Sequence, residues 1–343
     1  MVGWIRFFAL SGLYATGRAS LLSLGFIMTA ACSTAPPVAE PTSVAGYAPD
    51  TISLTTWNIG YGGLGRESDF VKDGGNRLLP PSRAAVEKNV AGIRSVLTGI
   101  ESDMVLLQEV GSRSFMTRYV PVERTLRNVL GDGFYWFSPD IGISLLPPPV
   151  GVAFGPAITT DLPVAERRLE PLTREPAALF GLLDRRYAAM VVELPRSDGP
   201  PWTIINVHLA AFDEEGRVRQ EQMRDVLRIA LAEYAKGHPV IIGGDWNIEI
   251  GFQTTPRPTQ EDYPFWLARL DPTAVPQGWQ VAFDSSQPTV RTVAQAYQPG
   301  MNYTAIIDGF IVSPNVEAVS VETTDTNFEM SDHMPVTARF RLR

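Results

Sequence analysis

The sequence predicts an α/β fold, because apolar runs typical of buried strands alternate with amphipathic helical segments. The run Val240-Ile241-Ile242 has no polar position, which indicates a strand covered on both faces. Residues 103–110 have the same character, and Ser82 can cap a helix that Gly99 closes. With 343 residues, of which 45% are apolar, the chain is long enough for one large two-sheet domain or two smaller ones.

The other predicted elements follow from their apolar periods in chain order. Residues 51–60 alternate as a half-buried strand does, and the Gly- and Pro-rich residues 61–81 form a long loop that we expect to be functional. Residues 112–130 are predicted to form two helical pieces, because Pro121 interrupts them. The remaining predictions are strands over residues 134–137, 187–194 and 203–208, a helix over residues 216–234 with Leu231 on its apolar face, and an insertion over residues 252–271.

The charge balance argues against one class of function. The chain has 29 basic and 37 acidic residues, which gives a net charge of −8 at pH 7. A surface that neutralises nucleic-acid phosphates without sequence preference is basic, so this class is disfavoured unless a local basic groove lies within the acidic surface. Cys32 is the single cysteine, and this excludes an intramolecular disulfide.

Residues 1–32 resemble a bacterial lipoprotein signal peptide. They contain Arg6 and Arg18 but no acidic residue, and an apolar run ends in small residues directly before Cys32. The run is too short for a comfortable membrane span, so we expect export to the cell envelope and a lipid anchor at Cys32. Cleavage by an ordinary signal peptidase after Ala35 is the alternative. Residues 33–50, rich in Pro, Ser, Thr and Ala, are predicted to tether a domain that spans residues 51–343.

Polar side chains follow several predicted strands at the point where each strand ends. Asp245 and Asn247 come after Gly243 and Gly244, which allow a tight turn. A carboxylate at this position can orient or deprotonate a water while the amide donates to a phosphoryl oxygen, which suits a hydrolytic site. The same residues also fit an ordinary Asx-rich turn, and the pattern alone leaves both interpretations open.

Six short motifs, each at the end of an apolar run, resemble the ordered motifs of the endonuclease/exonuclease/phosphatase superfamily. This superfamily includes pancreatic-type DNases, apurinic endonucleases, neutral sphingomyelinases and inositol polyphosphate 5-phosphatases. The resemblance covers residues 52–342 and implies a four-layer α/β/β/α sandwich with two mixed sheets and a site at one end of them. The motifs are Thr56-Trp57-Asn58-Ile59, Leu107-Gln108-Glu109-Val110, Asn206-Val207-His208-Leu209, Gly244-Asp245-Trp246-Asn247, Ile307-Asp308-Gly309-Phe310 and Ser331-Asp332-His333-Met334-Pro335.

The resemblance also implies a divalent metal site. Glu109, with Asn58 beside it, is expected to hold the cation through oxygen atoms, and Asp332 is expected to contact it. Mg²⁺ is the default cation for such hard ligands, with Mn²⁺ or Ca²⁺ as alternatives.

A further group of motif residues is implied to act on the substrate. Asp245 and Asn247 match the pair that orients water and contacts the phosphoryl group. His208 matches the histidine that donates to the scissile phosphate, although a single strand histidine is otherwise often a satisfied core residue. Asp308 matches the carboxylate that fixes the tautomer of His333. Whether Asp245 or His333 takes the proton stays open.

Together these expectations describe an exported, metal-dependent phosphoric ester hydrolase that cleaves a phosphodiester. A secreted nuclease is the enzyme alternative, and a catalytically silent binding module on the same fold is the alternative without catalysis. Gly60 stands where apurinic endonucleases carry an acidic residue, so duplex DNA is the less favoured substrate. The apolar residues 145–152 predict a rim for small or lipid-derived substrates, with packing over a sheet edge as the alternative.

Overall fold

The computed structural model of the protein describes residues 46–131, 133–142, 152–174, 184–211, 213, 216–251 and 257–343. The predicted signal peptide, the tether up to residue 45 and residues 143–151 of the apolar stretch lie outside these ranges. Among the described residues, no helix combines the length and the apolar composition that crossing a membrane requires.

Most described strands belong to two sheets, and all are numbered along the chain. They are β1 (Thr51–Asn58), β2 (Met104–Gly111), β3 (Phe134–Phe137), β4 (Ile141–Gly142), β5 (Ala153–Thr160), β6 (Glu166–Pro171), β7 (Asp184–Arg185), β8 (Ala188–Leu194), β9 (Trp202–His208), β10 (Val240–Asp245), β11 (Ile248–Glu249), β12 (Ala268–Arg269), β13 (Gln280–Ala282), β14 (Val290–Arg291), β15 (Thr304–Ala305), β16 (Asp308–Val312), β17 (Val316–Thr323) and β18 (Val336–Leu342).

Both sheets are mixed, as predicted. The first sheet has the order β17-β18-β1-β2-β5-β4-β7, with β3 also paired to β5, and the second has the order β13-β16-β10-β9-β8-β6. The first sheet contains the parallel pair β1 and β2, and the second contains the parallel pair β9 and β10. β11 with β12 and β14 with β15 form two short additional ladders.

Helices cover the outer faces of both sheets and complete the four layers. Leu54 and Leu106 of the first sheet pack against Ile241 and Phe310 of the second in one buried cluster between the sheets. Helices α1 (Arg83–Gly99) and α2 (Val122–Arg127) cover the outer face of the first sheet, and α3 (Arg217–Ala235) covers that of the second. Each large apolar side chain buried in these layers contributes roughly 1.5–3 kcal/mol to folding. The predicted four-layer α/β/β/α sandwich is therefore confirmed.

Helix α1 begins and ends where the sequence predicts. The Ser82 side chain accepts a hydrogen bond from Ala85 N at 3.0 Å, which satisfies one of the free amides of the first turn. The predicted apolar face is buried; it consists of Val86, Val90, Ile93 and Leu97.

Two local predictions are wrong. Helix in residues 112–130 is confined to α2, because the residues before Pro121 form turns in which Arg118 and Tyr119 have left-handed φ angles of 49° and 62°. Thr117 Oγ1 bonds nearby backbone carbonyls there, and such local bonds compete with a helix. Leu231, expected on the buried face of α3, is 41% exposed, because Met223, Val226, Leu227 and Ala230 already complete the helical stripe against the sheet.

Candidate active site

The sequence-predicted residues meet where the two parallel strand pairs end. In the second sheet Asp245 lies opposite His208 on β9 and opposite Asp308 on β16. In the first sheet Asn58 ends β1 beside Gln108 of β2. Since the carboxyl ends of parallel strands share one edge of a sheet, both sheets deliver polar groups to the same end of the sandwich.

Two glycines let the sheets approach closely at this end. A Cβ atom on Gly243 would lie 2.7 Å from the Phe310 ring and 2.9 Å from Leu106 of the facing sheet. Gly244 has a φ of 154°, and a Cβ atom there would lie 2.0 Å from the carbonyl oxygen of Val207. Any side chain at either position would push β10, which carries Asp245, away from its neighbours.

Asp245 is the centre of the site. Asn58 Nδ2 donates to its Oδ2 at 2.9 Å, so the bond joins the first sheet to the second. The same Oδ2 atom lies 3.6 Å from His208 Nε2 and 3.7 Å from His333 Nε2. The carboxylate is 1% exposed. One buried oxygen thus faces two imidazoles and one amide.

Asn247 is held in an unusual backbone conformation. Its φ is 48°, in the left-handed region, and its backbone N–H donates to Asp245 Oδ1 at 2.9 Å. Its Nδ2 donates to Leu209 O at 2.9 Å, and its own carbonyl accepts from the buried Arg219 at 2.6 Å. The Asx turn considered from sequence is therefore present, and it fixes Asn247 beside the carboxylate.

His333 and Asp308 form a buried pair that spans the two sheets. Their Nδ1 and Oδ2 atoms are 2.9 Å apart, and Trp57 Nε1 donates to the His333 carbonyl at 3.0 Å. Burial opposes a charged imidazole, but the carboxylates of Asp308 and Asp245 outweigh it and raise the pKa of His333 to about 10. In this arrangement the Nδ1 proton is directed at Asp308 and Nε2 faces Asp245.

The two carboxylates expected at a metal, those of Glu109 and Asp332, lie near the histidines. Glu109, whose φ of 52° is left-handed, has Oε1 at 3.7 Å from His208 Nε2. Burial raises the pKa of Asp332 to about 6, with His333 opposing this shift and Glu109 adding to it. Burial and the charges of the same two carboxylates raise the pKa of Tyr61 well above its usual value, so its hydroxyl keeps its proton.

The donor set fits a hard divalent cation. Asp308 Oδ1 is buried and has no hydrogen-bond partner among the described residues. Within the described ranges, no lysine or arginine forms an ion pair with Asp245, Asp308 or Asp332. Asp245, Asp308 and His333 offer ligand atoms within 4.8 Å of one another, and this group differs from the predicted metal ligands Glu109, Asn58 and Asp332. Buried carboxylates that converge in this way are what an oxygen-ligated cation stabilises.

The loop of residues 61–81 reaches this end of the molecule. It carries Asp73, which accepts hydrogen bonds from Trp266 Nε1 at 2.5 Å and from Val293 N. Burial, with a smaller effect of Asp332, raises the pKa of Asp73 to about 6 against the opposing effect of these bonds. Asp73 thus ties the loop to the segments that flank the site.

Two residues that hold the site together had no role assigned from the sequence, although one of them, Asn206, belongs to one of the six motifs. Asn206 Oδ1 accepts a hydrogen bond from Gln108 Nε2 at 2.8 Å, and Asn206 Nδ2 donates to the carbonyls of Leu107 and Ala157 at 3.1 Å. Asn206, in the second sheet, is therefore hydrogen-bonded to two strands of the first sheet. Arg219 also donates to Asp213 at 2.6 Å. A polar residue within an otherwise apolar strand, as Asn206 is in β9, was the available signal.

An α/β/β/α sandwich with carboxylates and histidines converging at one end defines a class of proteins that hydrolyse phosphoesters. The chain belongs to one family of this class, because residues 55–333 match the model described as the Endonuclease/Exonuclease/phosphatase family. Members of this family are metal-dependent phosphoester hydrolases. The comparison with curated proteins gave no match.

Solved structures show the same fold at low sequence identity. The endonuclease/exonuclease/phosphatase from Beutenbergia cavernae is 18% identical with a TM-score of 0.55, over 86% of this chain and 72% of that one. The corresponding protein from Bacteroides vulgatus is 16% identical with a TM-score of 0.56, over 86% of this chain and 100% of that one. The human Nocturnin catalytic domain, solved with a bound sulfate anion, is 18% identical with a TM-score of 0.53, over 87% of this chain and 97% of that one.

Proposed function

We propose that this protein is a divalent-metal-dependent hydrolase that cleaves a phosphodiester. The observation that carries the proposal is the position of Asp245 Oδ2, which lies 3.6 and 3.7 Å from the two histidine Nε2 atoms and accepts a hydrogen bond from Asn58. An anionic ester resists attack by a nucleophile, so its hydrolysis needs a positioned water and groups that offset negative charge. Those groups are concentrated at this end of the sandwich.

We assign each residue the role that the family resemblance implies. Asp245 orients the attacking water, and Asn247, with one Nδ2 hydrogen on Leu209 O, keeps its second for a phosphoryl oxygen. His208 donates from Nε2 to the scissile phosphate, and Asp308 fixes the orientation of His333.

Metal binding is assigned to Glu109, Asn58 and Asp332. When bound, a divalent cation such as Mg²⁺ offsets the phosphate charge and polarises its oxygens. Asn58 Nδ2 donates to Asp245 and Asn58 Oδ1 accepts from Gly60 N, both at 2.9 Å, so these bonds hold the Asn58 amide between the proposed metal ligands and Asp245.

We expect small or lipid-derived phosphodiesters to be hydrolysed more efficiently than duplex DNA. The net charge of −8 supports this order, since a duplex-gripping surface requires many basic contacts. The measurement compares kcat/KM for bis(p-nitrophenyl) phosphate, sphingomyelin in mixed micelles and plasmid DNA at low salt with Mg²⁺. Faster cleavage of plasmid that weakens steeply as salt rises would favour the secreted nuclease instead. No turnover of any ester, together with Mg²⁺ binding, would favour the silent binding module.

We also propose that the protein is exported and anchored to a membrane through a lipid on Cys32. The sequence before Cys32 supports this proposal. Residues 1–32 lie outside those that the structure describes. Two or more acyl chains make such anchoring stable. Radiolabelled palmitate is expected to enter the wild type in a bacterial host but not Cys32→Ser, and the wild type alone is expected in the membrane fraction. Equal solubility of the two proteins would rule out the anchor.

A further inference from the structure

We propose that Thr289 is a positioning residue that sets the geometry of the Asp308–His333 pair; its effect on turnover rests on the proposed hydrolysis. Asp308 begins β16 in the second sheet, whereas His333 lies in the loop between β17 and β18 of the first sheet. Their 2.9 Å contact therefore depends on how the two sheets are placed against each other at this end.

Thr289 contacts both sides of this pair. Its Oγ1 accepts hydrogen bonds from Ile307 N at 2.9 Å and from Asp308 N at 3.0 Å. Its carbonyl oxygen accepts from Met334 N, next to His333, at 2.8 Å. The residue is fully buried, with 0% exposure. One residue thus holds the backbone of Asp308 through its side chain and the backbone beside His333 through its main chain.

The residues after Thr289 continue the same link. Val290 forms an isolated β-bridge with His333, and Arg291 N donates to Asp332 O at 3.0 Å. Thr289 N donates to Ala305 O at 2.8 Å, three residues before Asp308. The segment therefore lies between the strand that carries Asp308 and the loop that carries His333. Most of these hydrogen bonds join main-chain atoms, which a substitution does not remove. The bonds to the Thr289 hydroxyl are the ones that a substitution can remove.

Loss of the hydroxyl would act on Asp308 directly. Two buried N–H groups would lose their acceptor, and the backbone would move to satisfy them. Asp308 Oδ1 has no partner among the described residues that could restrain the carboxylate instead. Displacement of Asp308 lengthens the contact with His333 Nδ1 and loosens the imidazole. Since partners of this kind change activity by about 10- to 100-fold, we expect Thr289→Val to lower kcat by that factor. KM should change little, because the buried Thr289 cannot touch the substrate.

The test compares Thr289→Val, which keeps the side-chain shape, with Thr289→Ser, which keeps the hydroxyl. Thr203→Val is the matched control, because Thr203 is equally buried and its hydroxyl bonds His238 at 2.9 Å near the start of β9, far from the catalytic end. The full-length chain with Mg²⁺ is assayed for kcat and KM on bis(p-nitrophenyl) phosphate. The low-field proton resonance of His333 Nδ1–H, assigned by its absence in His333→Gln, is recorded by NMR. Thr289→Ala, which removes the same oxygen, is measured in case the valine variant does not fold.

We expect Thr289→Val to lose or shift the His333 resonance and to lower kcat, Thr289→Ser to restore both, and Thr203→Val to leave both unchanged. An unchanged resonance and a wild-type kcat in folded Thr289→Val or Thr289→Ala would overturn the proposal. If the wild type hydrolyses no phosphodiester, the proposed function fails by itself. The resonance then still decides: its loss in Thr289→Val and its return in Thr289→Ser support the positioning role, and its persistence contradicts it.

Discussion

Asp245→Ala is expected to lower kcat by about a thousandfold, because a group that orients or deprotonates the attacking water acts mainly in the transition state. The Asp245 carboxylate also accepts a hydrogen bond from the Asn58 amide and lies near the imidazoles of His208 and His333. Its loss therefore removes the group that contacts all three of these side chains. Steady-state kinetics on bis(p-nitrophenyl) phosphate measure the change. KM is expected to move much less than kcat.

The matched control for this variant is Asp103→Ala. Asp103 also accepts hydrogen bonds at a strand end, from Ser53 N and Ser53 Oγ at 2.7 Å, but it precedes β2 at the end of the sheet opposite Glu109. We expect a small loss of thermal stability and a wild-type kcat. Equal kcat losses in both variants would show that general destabilisation, and not the chemistry of Asp245, explains the effect.

Removing either member of the Asp308–His333 pair should also lower kcat. His333→Ala removes the imidazole, and Asp308→Asn keeps the shape but removes the charge that orients it. We expect kcat to fall by about 10³-fold in the first and by about 10- to 100-fold in the second. Asn315→Ala, a polar residue in the loop before β17, provides a control with wild-type kcat.

The same pair predicts a pH dependence of stability in the metal-free protein. The pKa of His333 is raised to about 10 when folded, above its usual value of 6.5. The stabilisation of the folded state by charged His333 is therefore fully present below pH 6.5. It is lost as the pH rises towards 10, because the folded state binds the proton more tightly than the unfolded state does. Urea unfolding from pH 6 to 10 should show this decline in the wild type and a flatter profile in Asp308→Asn. Identical profiles would contradict the charge pairing.

The sequence was sufficient for features that follow from local patterns. Asn58 and Asp245 were singled out because they stand where apolar runs end, and His208 because its motif resembles one of the superfamily's motifs. Thr289 and Arg219 could not be found in this way. Thr289 bonds a residue 19 positions away and Arg219 one that is 28 positions away, so both contacts arise only when distant segments pack. The helix wrongly expected before Pro121 has a different origin, because Thr117 bonds carbonyls of nearby residues and such local bonds leave no apolar period in the sequence.

The most direct test of the proposed function is the metal dependence of turnover. Hydrolysis of bis(p-nitrophenyl) phosphate by the full-length chain is measured with EDTA, after Mg²⁺ is restored, and across a Mg²⁺ titration of the wild type and Glu109→Gln. We predict that EDTA abolishes turnover, that Mg²⁺ restores it, and that Glu109→Gln requires more Mg²⁺ for half-maximal rate because one anionic oxygen ligand is lost. Turnover that persists undiminished in EDTA would contradict a site in which Glu109, Asn58 and Asp332 hold a catalytic cation.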